Sequence, residues 1–272
     1  LVFVFILTFA VIGLFVFFYL SGMKTTLLFL SVFLSASLFG QNVYIPDANF
    51  KAYLVGNSEI NTNGDNEIQV IEASVFNGTI ACYNQNIADL TGIEAFTALT
   101  ALYCADNQLT SLDVSQNTAL SELYCTGNPL TSLDVSQNTG LFALECGHNE
   151  ITSLDLSNNV NLSDLFLWNV PLTSLDLSQN NDLEILDIDV SELGCLNLKN
   201  GNNMNMFYML LSCPNLTCIE VDDAEWSNDN WMFIDPQMYF SEDCNYPENC
   251  DDSSVGINQL STSKNLIQIL DL

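Results

Sequence analysis

The chain has 272 residues, of which 49% are apolar, so it is long enough to bury a substantial core in one or two domains. Its 33 acidic residues stand against four lysines and no arginine, which gives a formal net charge of −29. Because phosphate binding needs clustered cations, this charge excludes nucleic acid as a partner. An acidic surface suits solubility outside the cell, bound metal cations or basic partners.

The first forty residues differ from the rest because they contain one lysine and no acidic residue. Residues 1–22 are almost wholly apolar and lack an initiating methionine. We interpret them as translated upstream sequence, with a membrane anchor as the alternative, since about 20 apolar residues can span a bilayer. Residues 23–40 have a basic start, an apolar core and small residues near the end, which is typical of a secretory signal peptide. We therefore expect a secreted or cell-surface protein beginning near Gln41, in which disulfides can form.

Residues 41–78 are predicted to form a helical cap with a calcium-type loop. The segment 45–57 predicts a short helix with Asp47 as its N-cap and with Phe50, Tyr53 and Leu54 on one face. Such a cap is physically necessary, because the open end of a stack of repeats would otherwise expose apolar surface.

The loop after this helix has the spacing of an EF-hand, which surrounds a hard cation with about six or seven oxygens. Side-chain oxygens fall at loop positions 1, 3, 5 and 12 and a backbone carbonyl at position 7, namely Asn61, Asn63, Asp65, Glu72 and Glu67 in turn. Asn66 replaces the usual glycine at position 6, and position 1 carries no charge, so the expected affinity falls. Ca²⁺ is the predicted cofactor; a turn and cap without metal is the alternative.

Residues 79–200 are organised as a repeat with a period of 21 residues. Copies begin at Leu109, Leu130, Ile151 and Leu172, and the first reads LTSLDVSQNTALSELYCTGNP. Each copy holds two short segments in which apolar residues alternate, and each segment is too short to bury its face alone. Neighbouring copies must therefore stack about 4.8 Å apart and share one core. Two asparagine columns suit the turns, where a side-chain amide can bond backbone groups.

The chain resembles the short-repeat bacterial leucine-rich repeat proteins of the internalin type, over roughly residues 80–200. This resemblance implies an α/β solenoid whose concave face is a parallel sheet, with a short helical N-terminal cap and a disulfide-containing C-terminal cap. Matching the family pattern LxxLxLxxNxL places the sheet at segments beginning with Leu123, Leu144 and Leu165 and puts the LDV and LDL segments on the opposite side. The stretch before the repeats looks like the N-terminal cap of the same secreted proteins.

Cysteines occur inside the repeats and also after them. Cys104, Cys125 and Cys146 recur at the repeat period in an inward column, with Cys82 one residue out of step, and we interpret them as core residues. Residues 201–250 resemble the C-terminal cap of the family, which implies a disulfide between Cys218 and Cys244 that would contribute about 3–4 kcal/mol. Spacing leaves open whether Cys195 pairs with Cys213 or Cys213 pairs with Cys250. Residues 251–272 are predicted to be a linker followed by a truncated sorting segment, with a frayed terminus as the alternative.

Two outward columns are candidate sites. One holds Asp113, Asp134, Asp155 and Asp176, whose mutual repulsion requires Thr or Ser donors, solvent or cations. We expect a solvated row braced by Thr110, Thr131 and their copies. The other lies on the strands between inward residues and forms, with a nearby tryptophan, the predicted binding site: Tyr103, Tyr124, Glu145, Phe166, Trp168 and Asp187. Aromatic side chains on a rigid sheet are common anchors for protein or glycan contacts, although stacking between coils explains them equally well.

No catalytic constellation is evident, because His148 is the only histidine and occupies a variable position. We therefore predict that the protein is not an enzyme but an exported binding or adhesion protein for an extracellular protein or polysaccharide. A calcium-stabilised cell-surface spacer is the first alternative. A hydrolase using surface carboxylates is the least favoured, because abundant acidic residues make any one pair uninformative.

Overall fold

The structure is a computed structural model that describes residues 4–8, 14–18, 40–190, 192–231 and 234–245. Near the N-terminus, β1 (Val4–Thr8) and β2 (Leu14–Phe18) pair antiparallel. The predicted signal peptide, up to residue 39, and the tail at 251–272 lie outside the described residues. Among the residues described, none forms a helix that is long and apolar enough to cross a membrane.

Two short helices begin the cap. Helix α1 (Ala48–Gly56) starts at Asp47, whose side chain accepts hydrogen bonds from the backbone N–H groups of residues 49 and 50, so the predicted N-cap is confirmed. Phe50 and Leu54 are fully buried, and Tyr53 packs against the same core. Helix α2 (Val70–Val75) follows, and a 3₁₀ turn (Ile93–Ala95) leads into the repeats. The apolar face of α1 therefore covers the first coil, as the sequence predicts.

Parallel strands on one side of the coils form a seven-stranded sheet in the order β11-β9-β7-β6-β5-β4-β3. The strands are β3 (Thr79–Ala81), β4 (Ala101–Tyr103), β5 (Glu122–Tyr124), β6 (Ala143–Glu145), β7 (Asp164–Trp168), β9 (Ile185–Asp189) and β11 (Tyr208–Ser212). They contain the segments from which the concave sheet is predicted. Strands of neighbouring coils pair through equivalent residues, so the 21-residue period of the sequence is also the register of the sheet.

The opposite side of the coils is regular only towards the C-terminus. There β8 (Ser174–Asp176), β10 (Cys195–Asn197), β12 (Cys218–Glu220) and β13 (Tyr239–Ser241) form a four-stranded parallel sheet in the order β13-β12-β10-β8. In earlier copies the LDV segments make only an isolated bridge between Asp113 and Asp134. The LDV and LDL segments thus lie opposite the seven-stranded sheet, as predicted.

One continuous core runs through the stack. Its central ladder consists of leucines in register that are fully buried, namely Leu102, Leu123, Leu144, Leu165 and Leu186. Burying each leucine side chain contributes about 2 kcal/mol. Each coil contributes only a few such side chains, so neighbouring coils must be present together for any of them to be buried.

Asparagine side chains form hydrogen bonds with backbone N–H and carbonyl groups where the chain turns between strands. Asn128 Nδ2 donates to the carbonyls of Cys104 and Cys125 at 3.1 and 3.0 Å, and its Oδ1 accepts from Leu109 N–H at 3.0 Å. In the second column, Asn138 Nδ2 donates to carbonyls of the preceding coil. The predicted role of both columns is confirmed, since each amide joins one coil to its neighbour.

The C-terminal cap contains the 3₁₀ turn Asn203–Asn205 and helix α3 (Ala224–Asn230). Cys218 and Cys244 form a disulfide, which confirms the pairing that the family resemblance implied. Cys195 is also disulfide-bonded, but Cys213 is a buried free thiol. Both pairings considered for Cys213 are therefore wrong: its backbone N–H donates to Asp235 and its thiol lies inside the core.

Candidate functional site

The outward side chains of the seven-stranded sheet form the surface that we call the strand face. Side chains alternate between the core and the outside along the strands, most clearly in β7, where Leu165 and Leu167 are buried between three partly exposed residues. Strand register then aligns the outward residues in columns. The middle column contains Ala81, Tyr103, Tyr124, Glu145, Phe166, Asp187 and Leu210. The predicted column is therefore confirmed as a structural unit; its binding role stays a prediction.

Aromatic rings on the strand face occur as two pairs. The rings of Tyr103 and Tyr124 stack with centroids 4.6 Å apart and planes 9° from parallel. Phe166 and Trp168, two residues apart on β7, have centroids 5.6 Å apart and planes tilted by 48°. The Tyr103–Tyr124 stack joins two coils and stabilises the solenoid by about 0.5–1.5 kcal/mol, whereas the Phe166–Trp168 contact lies within one coil. Both contacts hold large rings in position. The two interpretations of these residues are therefore compatible.

Carboxylates surround the aromatic residues. The Tyr103 hydroxyl donates to Glu122 Oε2, and this hydrogen bond, followed by burial, raises the pKa of Tyr103 to about 12. Burial and the negative charges of Glu122, Glu145 and Asp164 raise the pKa of Tyr124. Three consecutive coils thus bring carboxylates near one phenol, which gives this part of the strand face a negative potential.

Sequence reasoning missed the acidic residues that flank the middle column. Glu122 and Asp164 lie two positions before Tyr124 and Phe166, in the adjacent outward column, and Asp189 pairs with Trp168 on the far side. The same period-two rule that identified the middle column could have found them, because residues i and i±2 share a face of a strand. The candidate site is therefore a mixed acidic and aromatic surface.

The second acidic column also forms as predicted, but its donors differ from those expected. Backbone N–H groups two residues further along donate to these aspartates at 2.9 Å, from Ser115, Ser136, Ser157 and Ser178. Hydrogen bonds from Ser115 hold the pKa of Asp113 below its ordinary value, and Ser136 does the same for Asp134. Among the described residues the donors are serines, and neither Thr110 nor Thr131 hydrogen-bonds to an aspartate of this column, so the predicted bracing by threonine is wrong while a serine donor is confirmed.

The cysteine column is part of the core. Cys82, Cys104, Cys125 and Cys146 are free thiols and fully buried, and burial raises the pKa of each. They behave as small apolar side chains with little thiolate character. The position of Leu167 and Ile188 opposite each other in the same inward column agrees with this interpretation.

The calcium-type loop is held together by its own hydrogen bonds. Oδ1 atoms of Asn61, Asn63 and Asp65 accept from backbone N–H groups at 3.1, 2.8 and 2.7 Å, respectively. Glu72 Oε1 accepts from the backbone of residues 62 and 63, and its Oε2 accepts from Gln69 N–H. Both carboxylate oxygens of the predicted position-12 ligand are thus already engaged.

The fit of this loop to calcium is consequently incomplete. Asp65 Oδ2 faces amide N–H groups of Asn63 and Gln69 at 3.1 and 3.0 Å, and the Glu67 side chain pairs with Lys51 at 2.7 Å. In the part of the chain that the structure describes, no three His, Cys, Asp or Glu side chains are grouped to share a metal. A cation here would depend on asparagine and carbonyl oxygens, so calcium binding stays a prediction from spacing alone.

His148 lies beside the strand face in a left-handed backbone conformation, with φ of 50°. Its Nδ1 is 3.3 Å from Asn169 Nδ2. Asparagine and histidine adopt this conformation more readily than most residues, so a turn accounts for both of them. The positive φ of His148 therefore indicates a structural role in the turn.

Parallel strands stacked at a 21-residue period, a shared leucine core and asparagine-bonded turns define a leucine-rich repeat protein. No protein-family model matches the chain. The chain is 39% identical over 77 residues to Internalin J of Listeria monocytogenes serotype 4b (strain F2365). These residues make up 28% of this chain and 8% of Internalin J. The structure of the functional domain of InlJ from Listeria monocytogenes, which includes a cysteine ladder, superposes with a TM-score of 0.60 at 27% identity.

That superposition covers 74% of this chain and 48% of the InlJ domain, so the chain spans about half of the structure it matches. The sequence identity and the shared repeat architecture agree with each other. The chain is therefore a leucine-rich repeat protein that is similar in sequence and fold to Internalin J.

Proposed function

We propose that the protein is exported and binds a macromolecule, an extracellular protein or a surface polysaccharide, through the strand face. The observation that carries this proposal is the pair of aromatic contacts on a rigid sheet, Tyr103–Tyr124 and Phe166–Trp168. Each ring packs against its partner, so binding costs little side-chain entropy. Tyrosine and tryptophan are also the side chains that most often dominate binding energy.

The similarity to Internalin J supports the proposal, and so does the general use of repeat sheets as extended binding surfaces. The apolar and basic character of residues 23–40 supports export. Rigid scaffolds leave specificity to the variable outward residues, so the ligand itself must be found experimentally.

The experiment compares two variants of the complete exported chain on an array of extracellular proteins and surface polysaccharides. The first carries alanine at Tyr124, Phe166 and Trp168. The second is a matched control that carries alanine at Phe142 and Val160, which are exposed apolar residues outside the strand face at 41% and 47% exposure. We expect the control to keep the signals of the unmodified protein and the first variant to lose them.

Circular dichroism and thermal melting show whether each variant remains folded. If the strand-face variant is folded and retains every array signal, the aromatic residues are not the binding site. The structural spacer then becomes the better interpretation of the repeats.

A further inference from the structure

Glu145 is the only large side chain among the outward residues at β6, and we call Ala143, Glu145 and Gly147 the trough. Ala143 is 1% exposed and Gly147, just after β6, is also buried, so Glu145 alone is partly exposed. A Cβ atom at Gly147 would lie 2.9 Å from both the backbone N and O of Trp168. The close approach of β7 therefore excludes any side chain at position 147, and the trough is a consequence of how the coils pack.

Aromatic residues flank Glu145 on both neighbouring strands. Tyr124 stands on β5 and Phe166 on β7, each paired in register with Glu145 between them. The two strands are about 10 Å apart, twice the spacing of neighbouring strands. Trp168 packs against Phe166. The partly exposed side chain of Glu145 therefore stands between two aromatic residues on the neighbouring strands.

The charge of the trough has no counterpart within the described part of the chain. The side-chain carboxylate of Glu145 accepts no hydrogen bond from the described residues, whereas that of the neighbouring Glu122 accepts one from Tyr103. The lysines in the described residues are engaged elsewhere: Lys51 with Glu67, and Lys199 with the carbonyl of residue 242. The sequence contains no arginine. A negative carboxylate between two aromatic rings, without an internal cation, is complementary to a cation from outside.

We propose that the trough at β6 binds an arginine side chain of a basic polypeptide segment, with the guanidinium paired with the Glu145 carboxylate and in contact with the neighbouring aromatic residues Tyr124 and Phe166. Guanidinium is planar, stacks on aromatic faces and presents a fork of N–H donors that matches a carboxylate. Lysine has the same charge but cannot form that fork or stack as a plane. The inference rests on the proposed function and names the partner's chemistry, a basic polypeptide in preference to a polysaccharide.

The test measures fluorescence anisotropy of a fluorescein-labelled peptide of glycine and arginine with the complete protein at physiological salt. Matched peptides replace arginine with lysine or with citrulline, which is isosteric with arginine and neutral. Glu145→Gln removes the trough carboxylate, and Glu150→Gln removes an exposed carboxylate outside the trough on the same coil. Phe166→Leu removes one aromatic neighbour of Glu145 and Phe142→Leu is its control.

We expect the arginine peptide to bind, the lysine peptide to bind several-fold more weakly and the citrulline peptide not to bind. Glu145→Gln and Phe166→Leu should each weaken arginine binding about tenfold, while Glu150→Gln and Phe142→Leu change it less than about twofold. Equal binding of arginine and lysine peptides, or equal effects of Glu145→Gln and Glu150→Gln, would overturn the proposal, because the attraction would then be the general one expected at −29 net charge.

The array experiment separates this inference from the proposed function. If the arginine peptide does not bind but the strand-face alanine variant still loses array signals, the trough proposal fails and the proposed function stands. If polysaccharide signals alone are lost on that variant, the basic polypeptide is again the wrong partner. If no signal depends on the strand face, both proposals fail.

Discussion

Removing an asparagine that joins two coils should destabilise the solenoid by an amount that depends on which hydrogen bonds are lost. Asn128 is 4% exposed and makes bonds in both directions. In Asn128→Ala, the buried N–H of Leu109 loses its acceptor completely, whereas the carbonyls of Cys104 and Cys125 each keep a second asparagine donor, Asn107 and Asn149 respectively. An unsatisfied buried donor costs about 1–3 kcal/mol and each lost shared bond about 0.5 kcal/mol, so we expect a loss of about 3 kcal/mol.

Asn138 in the other column supplies the comparison. It is fully buried, but its Oδ1 accepts no hydrogen bond among the described residues. Its Nδ2 donates to the carbonyls of Val114 and Asn117, and both keep a backbone donor, so Asn138→Ala should cost only about 1–2 kcal/mol. The exposed neighbour Gln137, whose side chain hydrogen-bonds to Ser136, is the control, and Gln137→Ala should change stability by less than about 0.5 kcal/mol.

Urea unfolding followed by circular dichroism gives the free energy of unfolding of each variant. We predict the order Asn128→Ala, then Asn138→Ala, then Gln137→Ala, from most to least destabilised. A reversed order of the two asparagine variants would refute this reasoning, because the unsatisfied N–H of Leu109 would then not be the largest energetic cost.

Three further predictions concern the caps and the strand face. Replacing Cys218 and Cys244 with serine should lower the free energy of unfolding by about 3–4 kcal/mol, measured in urea, and no change would show that the link does not constrain the unfolded chain. Calcium bound in the cap loop should raise Tm by about 2–4 °C, and Glu72→Gln should abolish this rise. A Tm that is the same with calcium and with a chelator would contradict the loop prediction. Glu122→Gln should lower the pKa of Tyr103 from about 12 towards the ordinary value, which ultraviolet titration of the phenolate measures; an unchanged pKa would contradict the assigned hydrogen bond. Because the pKa of Tyr103 is raised in the native state of the unmodified protein, that state should lose stability as pH rises from about 10 to 12.

The repeat made most of the fold predictable. Apolar leucine and cysteine side chains recur every 21 residues, and they can all be buried only if equivalent residues stack in register. The structure shows this register for Leu123, Leu144 and Leu165. The helix N-cap at Asp47 was predictable because the required side chain and the following apolar residues are adjacent in the sequence. Both inferences depend on local spacing, which can be read directly from the sequence.

Contacts that depend on three-dimensional neighbours were not predictable in the same way. The backbone N–H of Ser115, rather than a threonine hydroxyl, bonds to Asp113 because of the turn that the chain makes there. Cys213 is a free thiol whose side chain packs in the core, and a cysteine count cannot indicate which cysteines the fold brings within bonding distance. The trough at β6 depends on the approach of the Trp168 backbone to Gly147, and this distance is visible only once the coils are stacked.

The central claim is that ligands contact the strand face, and hydroxyl-radical footprinting tests it most directly because it reports the accessibility of individual side chains. The measurement uses the complete protein with and without a ligand identified on the array. We predict that oxidation of Tyr124, Phe166 and Trp168 falls on binding while that of Phe142, outside the strand face, is unchanged. Protection of Phe142 with the three strand-face residues still fully oxidised would contradict the claim.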